Sequence, residues 1–476
     1  MSPPLPARTA AVPEADVLAG LPPVRAVSAA EVATRISGGP RLVVLDDDPT
    51  GTQTVADVPV LTSWTVDDLR WALRQDSSAF FVLTNTRSLS PEDAATRNRE
   101  VVRALRTASA AEGTEYVIAS RGDSTLRGHF PLETDVLTEE LGTVDGVVLV
   151  PAYIEAGRLT VASHHWMRTP DGLLPVGESE FARDATFGYT SSSLPDWIEE
   201  KTAGRQPAGE VLRITLDDLR AGGPTHTARL LSSLRGGRTA VVDAVCDDDL
   251  RILALALAEA EENGSRLLYR VGPSFVRARA GQAGRPPLTS PELSRLRGRS
   301  PHGLIAVGSH VSLTTRQLDR LRQRGGIAEY ELDVARLLDE RRDAHISEVA
   351  AAASRALHSA DAVIRTSRTL VTGADADDSL AISRRVSAAL VEAVRQVTAI
   401  RRPAFVIAKG GITSSDTATH GLQIRRAWAR GTLLPGIVSL WEPVDGPAAG
   451  IPYIVFAGNV GTDDALADAL DLLRSA

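Results

Sequence analysis

Cysteine and lysine are almost missing from this 476-residue chain. A single cysteine, Cys246, excludes an intramolecular disulfide framework and a thiolate metal site, and it suits a reducing cytoplasm, the expected location. Its expected role is a small apolar filler after a strand. No run of about 18 apolar residues occurs, which excludes a membrane-spanning helix. A basic stripe is missing too: the formal net charge is -8 with both signs interleaved, so nucleic acid is not an expected partner. The first residues, rich in Pro and Ala, lack a basic segment followed by an apolar one, and read as a flexible arm rather than a signal peptide. Of 52 basic residues only Lys201 and Lys409 are lysines. Lys201 sits in an ordinary polar stretch, so Lys409 is the lysine that asks for a chemical reason.

What is present is a chain long enough for two domains, 43% hydrophobic. From Leu42 onward short apolar runs alternate with longer amphipathic stretches, the pattern of βα units around a mainly parallel sheet. Strands are expected at Leu42–Leu45, Val58–Leu61, Phe80–Thr84, Tyr116–Ala119, Val147–Val150, Ala240–Val245 and Leu267–Val271. A second series is expected at Leu304–Val307, Glu329–Leu332, Ala362–Arg365, Phe405–Ala408 and Ile454–Ala457. The Arg-, Gly- and Pro-rich stretch between the two series reads as a linker. The expected fold is α/β in two domains, each a mainly parallel sheet flanked by helices, with the active site in the cleft between them. The expected boundaries are an arm over residues 1–40, a first domain over 41–276, a linker over 277–302 and a second domain over 303–476. Residues 154–195 have no clear periodicity and read as binding loops.

Three constellations follow expected strands, where open α/β sheets bind ligands. In Asp46-Asp47-Asp48-Pro49-Thr50-Gly51, adjacent carboxylates repel one another unless a cation, a proton-transfer role or a hydroxyl-rich ligand uses them. A capped turn with solvated aspartates is the plainer alternative. In Arg121-Gly122-Asp123-Ser124-Thr125-Leu126-Arg127-Gly128, arginines can clamp a carboxylate while Asp and Ser meet sugar hydroxyls. In Lys409-Gly410-Gly411-Ile412-Thr413-Ser414, glycines allow backbone approach to a phosphate at the start of a helix and Lys409 offers a point charge. The spacing is not that of a Walker loop. Gly308-Ser309 and Gly458-Asn459 end two further strands of the same domain and favour a nucleotide cleft.

These residues resemble the four-carbon acid sugar kinases. The resemblance rests on Asp47–Gly51, Asp123–Gly128, Glu180–Asp184, Gly308-Ser309, Lys409–Ser414 and Gly458-Asn459, in the family's order. It implies a sugar-binding N-terminal and a nucleotide-binding C-terminal domain, with ATP-dependent phosphorylation of the terminal hydroxyl of threonate, erythronate or a 3-oxo-tetronate. ATP contacts carry over to Ser309, to the loop Gly410, Gly411, Ile412 and Thr413, and to Gly458; Lys409, Ser414 and Asn459 are expected beside them, with Mg²⁺ riding mainly on the phosphates. Substrate contacts carry over to Asp47, Arg121, Asp123 and Arg127; Asp46, Thr50 and Ser124 are expected substrate ligands beside them, and the base is expected to be Asp47, with Asp123 behind it. A homodimer stays open as the assembly. Two other readings compete: a phosphatase of the haloacid dehalogenase type, using Asp46-x-Asp48-x-Thr50, and a sugar-acid sensor without enzymatic activity.

Overall fold

The computed structural model describes residues 11–142, 144–298, 300–368, 371 and 376–476. Its strands are β1 (Arg41–Asp46), β2 (Val58–Leu61), β3 (Ala79–Leu83), β4 (Tyr116–Arg121), β5 (Gly146–Val150), β6 (Arg158–Val161), β7 (His164–Thr169), β8 (Gly172–Pro175) and β9 (Leu212–Ile214). They continue with β10 (Arg238–Val242), β11 (Leu267–Val271), β12 (Leu304–Val307), β13 (Ile327–Leu332), β14 (Asp361–Thr366), β15 (Val406–Lys409), β16 (Arg426–Leu434), β17 (Ile437–Pro443) and β18 (Tyr453–Phe456). The chain divides into two compact units, Met1–Asp47 with Trp64–Gly284, and Asp48–Ser63 with Arg285–Ala476.

In the first unit the order β3-β1-β4-β11-β5-β10-β9 is parallel throughout. Continuous apolar runs such as Leu42–Leu45 are buried on both faces, as strands of a helix-covered parallel sheet require. The helix Pro91–Glu112 begins at Ser90, whose Oγ accepts from the Asp93 amide at 3.2 Å, and ends at Gly113 with φ 63°. The helix Asp247–Glu262 is capped by Cys246 and Asp249 acting reciprocally, so Cys246 is a helix cap rather than an apolar filler. Residues 154–195, expected as loops, contain the antiparallel sheet β6-β7-β8. Its β6–β7 turn puts Ala162 and Ser163 at positive φ, and both amides donate to the buried Asp243 carboxylate at 2.8 Å. In β7, His165 is buried beside Thr160 while His164 is exposed; burial pushes the His165 imidazole down to about 3.

Met1–Ala10 of the expected arm lies outside the described residues. The rest of it is packed, not free. Val12 bridges Leu173, Arg168 donates to Glu14 at 2.6 Å, and the helix Ala29–Ile36 buries Val32 against the helix Asp247–Glu262.

In the second unit β13-β14-β12-β15-β18 are parallel, and β17, β16 and β2 follow antiparallel. The segment Asp48–Ser63, expected in the first domain, belongs here: β2 pairs with β16, and Thr52 bonds Ser439 and Trp441 at 2.9 Å. The expected linker also differs, because it holds the helix Ser290–Leu296, capped by Thr289 and Glu292, with Leu288 and Leu293 in the unit's core.

Candidate active site

The sheet register sets the first cluster. Asp46 ends β1 directly opposite Arg121, which ends β4. Both are buried, and Arg121 Nε donates to Asp46 Oδ1 at 2.6 Å. Asp47 is equally buried and is held by both ends of Arg87, at 2.9 Å from Nε and 2.6 Å from Nη2. Arg87 was not among the expected site residues. It stands just beyond β3, the other neighbour of β1, after Asn85 turns the chain at φ 56°.

The loop after β4 carries Asp123, of which 4% is exposed. Asp123 Oδ1 accepts the Leu126 amide at 3.0 Å, and burial pushes the carboxyl up to about 6 against the pull of Arg270, Arg87 and Arg158. Beneath the loop lies an ion pair absent from the sequence expectations. Arg270 donates to Glu133 at 2.6 Å, to Ser120 at 3.0 Å and to the Gly122 carbonyl at 2.6 Å, fixing the loop to β11 and the helix Leu132–Leu141. Arg127 is occupied as well: it bonds the Ser124 carbonyl and Oγ, pairs with Asp184 at 3.2 Å and lies over Phe181. Arg158, at the start of β6, faces Phe181 and Tyr153 at 5.2 and 5.9 Å from the ring centroids, and its Nε is buried without a hydrogen-bond partner. Arg158 was not among the expected site residues, because an arginine in an aperiodic stretch carries no sequence signal of its own.

Thr50 belongs to the second unit and donates to Asp48 Oδ1 at 2.5 Å. In that unit the neighbouring parallel strands β12, β15 and β18 end side by side and bring Ser309, Gly410 and Gly458 together. The Gly308 amide donates to the Lys409 carbonyl at 3.2 Å, the Gly410 amide to Phe456 at 2.8 Å, and Thr314 Oγ1 to the Gly458 carbonyl at 3.0 Å. Gly410 has φ 128°, and a Cβ there would stand 2.9 Å from Thr413 Oγ1 and 3.3 Å from Ser309. Only glycine lets these backbones approach so closely. The short helix Gly411–Asp416 follows, with Ile412 59% exposed and Asn459 exposed in the turn after β18. A cavity of about 160 Å³ adjoins this loop, lined by Gly308, Thr413 and Ile412 together with apolar side chains such as Val386 and Leu390.

Two expected phosphate ligands face elsewhere. The Lys409 ammonium is fully buried, donates to the Ala457 carbonyl at 2.6 Å and sits 3.9 Å from the Phe456 ring centroid; burial pulls it down to about 7. The Ser414 hydroxyl is buried too and donates to the Ala408 carbonyl at 2.8 Å.

A sheet-ended acid and arginine cluster in one unit, and glycine-bearing strand ends in the other, define a two-domain enzyme of the small-molecule kinase class. Residues 42–279 match the model of a sugar-binding N-terminal domain and residues 304–466 that of a nucleotide-binding C-terminal domain. The chain belongs to the four-carbon acid sugar kinase family. It is 27% identical to a D-threonate kinase of Bordetella bronchiseptica over 92% of this chain and 98% of that one. A D-erythronate kinase of Heliobacterium modesticaldum is 26% identical over 55% of this chain and 54% of its own length. A 3-oxo-tetronate kinase of Methylobacterium radiotolerans is 27% identical over 39% of this chain and 41% of its own. Solved structures of a Salmonella typhimurium protein (TM-score 0.64, 22% identity, 90% of this chain and 98% of that one) and of a Haemophilus influenzae protein (0.60, 19%, 90% and 100%) share the fold. Among the described residues no helix is long and apolar enough to cross a membrane.

Proposed function

We propose that this chain is an ATP-dependent kinase for the terminal hydroxyl of a four-carbon sugar acid of the threonate, erythronate or 3-oxo-tetronate class. The observation that carries the reading is the convergence of Ser309, Gly410 and Gly458 on adjoining strand ends, a cradle that a Cβ would fill and that fits nucleotide phosphates. Gly410, Gly411 and Thr413 would hold the phosphates, Ser309 and Gly458 would close the other side, and the apolar cavity beside Ile412 would take the base. Mg²⁺ bound with the nucleotide would supply neutralisation of phosphate charge, and Asp48, whose Oδ2 stands 3.5 Å from where a Gly411 Cβ would be, would hold it.

The geometry favours Asp123 over Asp47 as the group that takes the hydroxyl proton. Both Asp47 oxygens already accept from Arg87, whereas Asp123 combines burial with a carboxyl pushed up to about 6. A base in that range is ionised at neutral pH and still able to accept a proton in the transition state. The haloacid dehalogenase reading loses its nucleophile, because Asp46 is buried and bound by Arg121. Lys201, the lysine of this unit, donates to the Phe187 and Gly188 carbonyls instead of to the site.

The test is ADP release from ATP with a panel of four-carbon acids. Turnover that needs both ATP and an acid is expected. Phosphate release from sugar phosphates without ATP would return the phosphatase, and the lack of any nucleotide binding by calorimetry would return the sensor.

A further inference from the structure

Four carboxylates of the sugar-binding unit each have an arginine partner. Asp46 is taken by Arg121, Asp47 by Arg87, Glu133 by Arg270 and Asp184 by Arg127. Asp123 and Arg158 are in none of these pairs: they are within electrostatic reach of each other, yet no ion pair joins them. We infer that Arg158 binds the substrate carboxylate, with the polyol chain lying between it and Asp123. The inference rests on the kinase reading above and replaces Arg121 and Arg127 as the expected carboxylate clamp.

Three observations support this role. First, a buried guanidinium without a counter-ion is an unfavourable arrangement that an anionic ligand relieves. Arg158 is half-buried and approaches this case: it has no hydrogen-bonding or ion-pairing side chain among the described residues, its Nε is buried unpartnered, and burial pulls its pKa below the usual arginine range. Second, its contacts are ring faces. A guanidinium over Phe181 and Tyr153 keeps its donors in its own plane, where a carboxylate is met by two parallel hydrogen bonds. Third, the residue is firmly placed. Its backbone exchanges hydrogen bonds with Tyr153 at 3.0 and 2.9 Å, and the far end of β6 is held by Asp243. Arg127 shares the Phe181 ring but spends its donors on Ser124 and Asp184.

The experiment compares wild type, Arg158→Gln and Arg158→Lys in the ADP-release assay. The substrates are the tetronate that wild type turns over best and the matching tetritol, in which CH₂OH replaces the carboxylate; the tetritol is used as substrate or competitor. Removing one partner of a buried charged contact is expected to raise KM for the tetronate about 30- to 1,000-fold in Arg158→Gln, with less effect on kcat. Arg158→Lys keeps the charge but not the fork, and its KM is expected between the two. Tetritol kinetics or inhibition should stay within about threefold of wild type, because no carboxylate contact is lost. The acid limb of kcat/KM should also move to higher pH in Arg158→Gln, since the Arg158 charge favours ionised Asp123.

Equal losses for tetronate and tetritol would make Arg158 a packing residue and overturn the inference. So would an unchanged tetronate KM. A melting temperature and nucleotide affinity close to wild type show that Arg158→Gln is folded; if it is not, Arg158→Lys alone decides, because a structural role predicts no selectivity between acid and polyol. Wild type that neither binds nor phosphorylates any four-carbon acid would remove the kinase reading and this inference together, whereas an active wild type with an indifferent Arg158 removes the inference alone.

Discussion

Replacing Asp123 by Asn should stabilise the protein and disable it, with the stabilisation appearing only as pH rises. Asp123 has its folded pKa raised from the ordinary 3.8 to about 6 by burial. Below about pH 4 the folded and unfolded chains both carry the proton, and the group has no effect on stability. Between about pH 4 and 6 the unfolded chain ionises while the fold retains its proton, so stability falls as pH rises. Above the folded pKa the whole difference is in place, roughly 2 pH units or about 3 kcal/mol. Asn keeps the acceptor for the Leu126 amide and carries no charge, so it escapes this loss. Urea or thermal unfolding of Asp123→Asn against wild type should therefore show a gain approaching about 3 kcal/mol at pH 8 and roughly 1 kcal/mol or less at pH 4.5. In the ADP-release assay kcat should fall about a hundredfold or more, the usual effect of losing a positioned base. A stability difference independent of pH, or an Asn variant less stable than wild type at pH 8, would refute the electrostatic account. Retention of more than roughly a tenth of kcat would refute the proton-accepting role.

Lys409→Met should leave nucleotide affinity within about threefold by calorimetry, because the ammonium faces Ala457 and Phe456 rather than the loop; a loss beyond about tenfold would restore it as a phosphate ligand. Its stability relative to wild type should be most favourable near pH 7 and decline toward pH 10. Over that window the unfolded chain holds a lysine proton that the fold does not, so wild type gains stability with pH. Gly410→Ala forces a side chain into φ 128° and toward Thr413 and Ser309, with an expected cost of about 1–3 kcal/mol and weaker ATP binding; wild-type affinity would exclude close approach at this loop. Arg121→Gln leaves Asp46 buried without its charge partner and should cost about 3–5 kcal/mol in urea unfolding, while a change under roughly 1 kcal/mol would mean that water reaches Asp46.

The parallel sheets were legible in the sequence because their strands are continuous apolar runs, and Leu42–Leu45, Leu267–Val271 and Leu304–Val307 fall inside the strands of the structure. The hairpin of β16 and β17 was not, since Arg426–Leu434 interleaves Arg and Gly with its apolar residues and pairs through a bulge between Ala429 and Gly431. β6, β7 and β8 escaped for a similar reason: each is short, and the turn between the first two is made by Ala162 and Ser163 instead of Gly or Asn, with Asp243 holding it from 80 residues away. Local sequence carries no trace of a turn supported at that distance.

The same limit governs the aspartate triplet. From sequence, three adjacent carboxylates looked too costly to leave without a ligand. In the structure each has its own answer: Asp46 meets Arg121 across a strand pair, Asp47 meets Arg87 beyond the neighbouring strand, and Asp48 caps the turn at Thr50 in the other unit. Asp46 and Asp47 are spent on holding strand ends, Arg121 is spent on Asp46, and Arg127 on Asp184. A charge cluster in a sequence indicates where a site is built; which member acts depends on partners that only the fold supplies, and that is the ground on which Asp123 and Arg158 are proposed here.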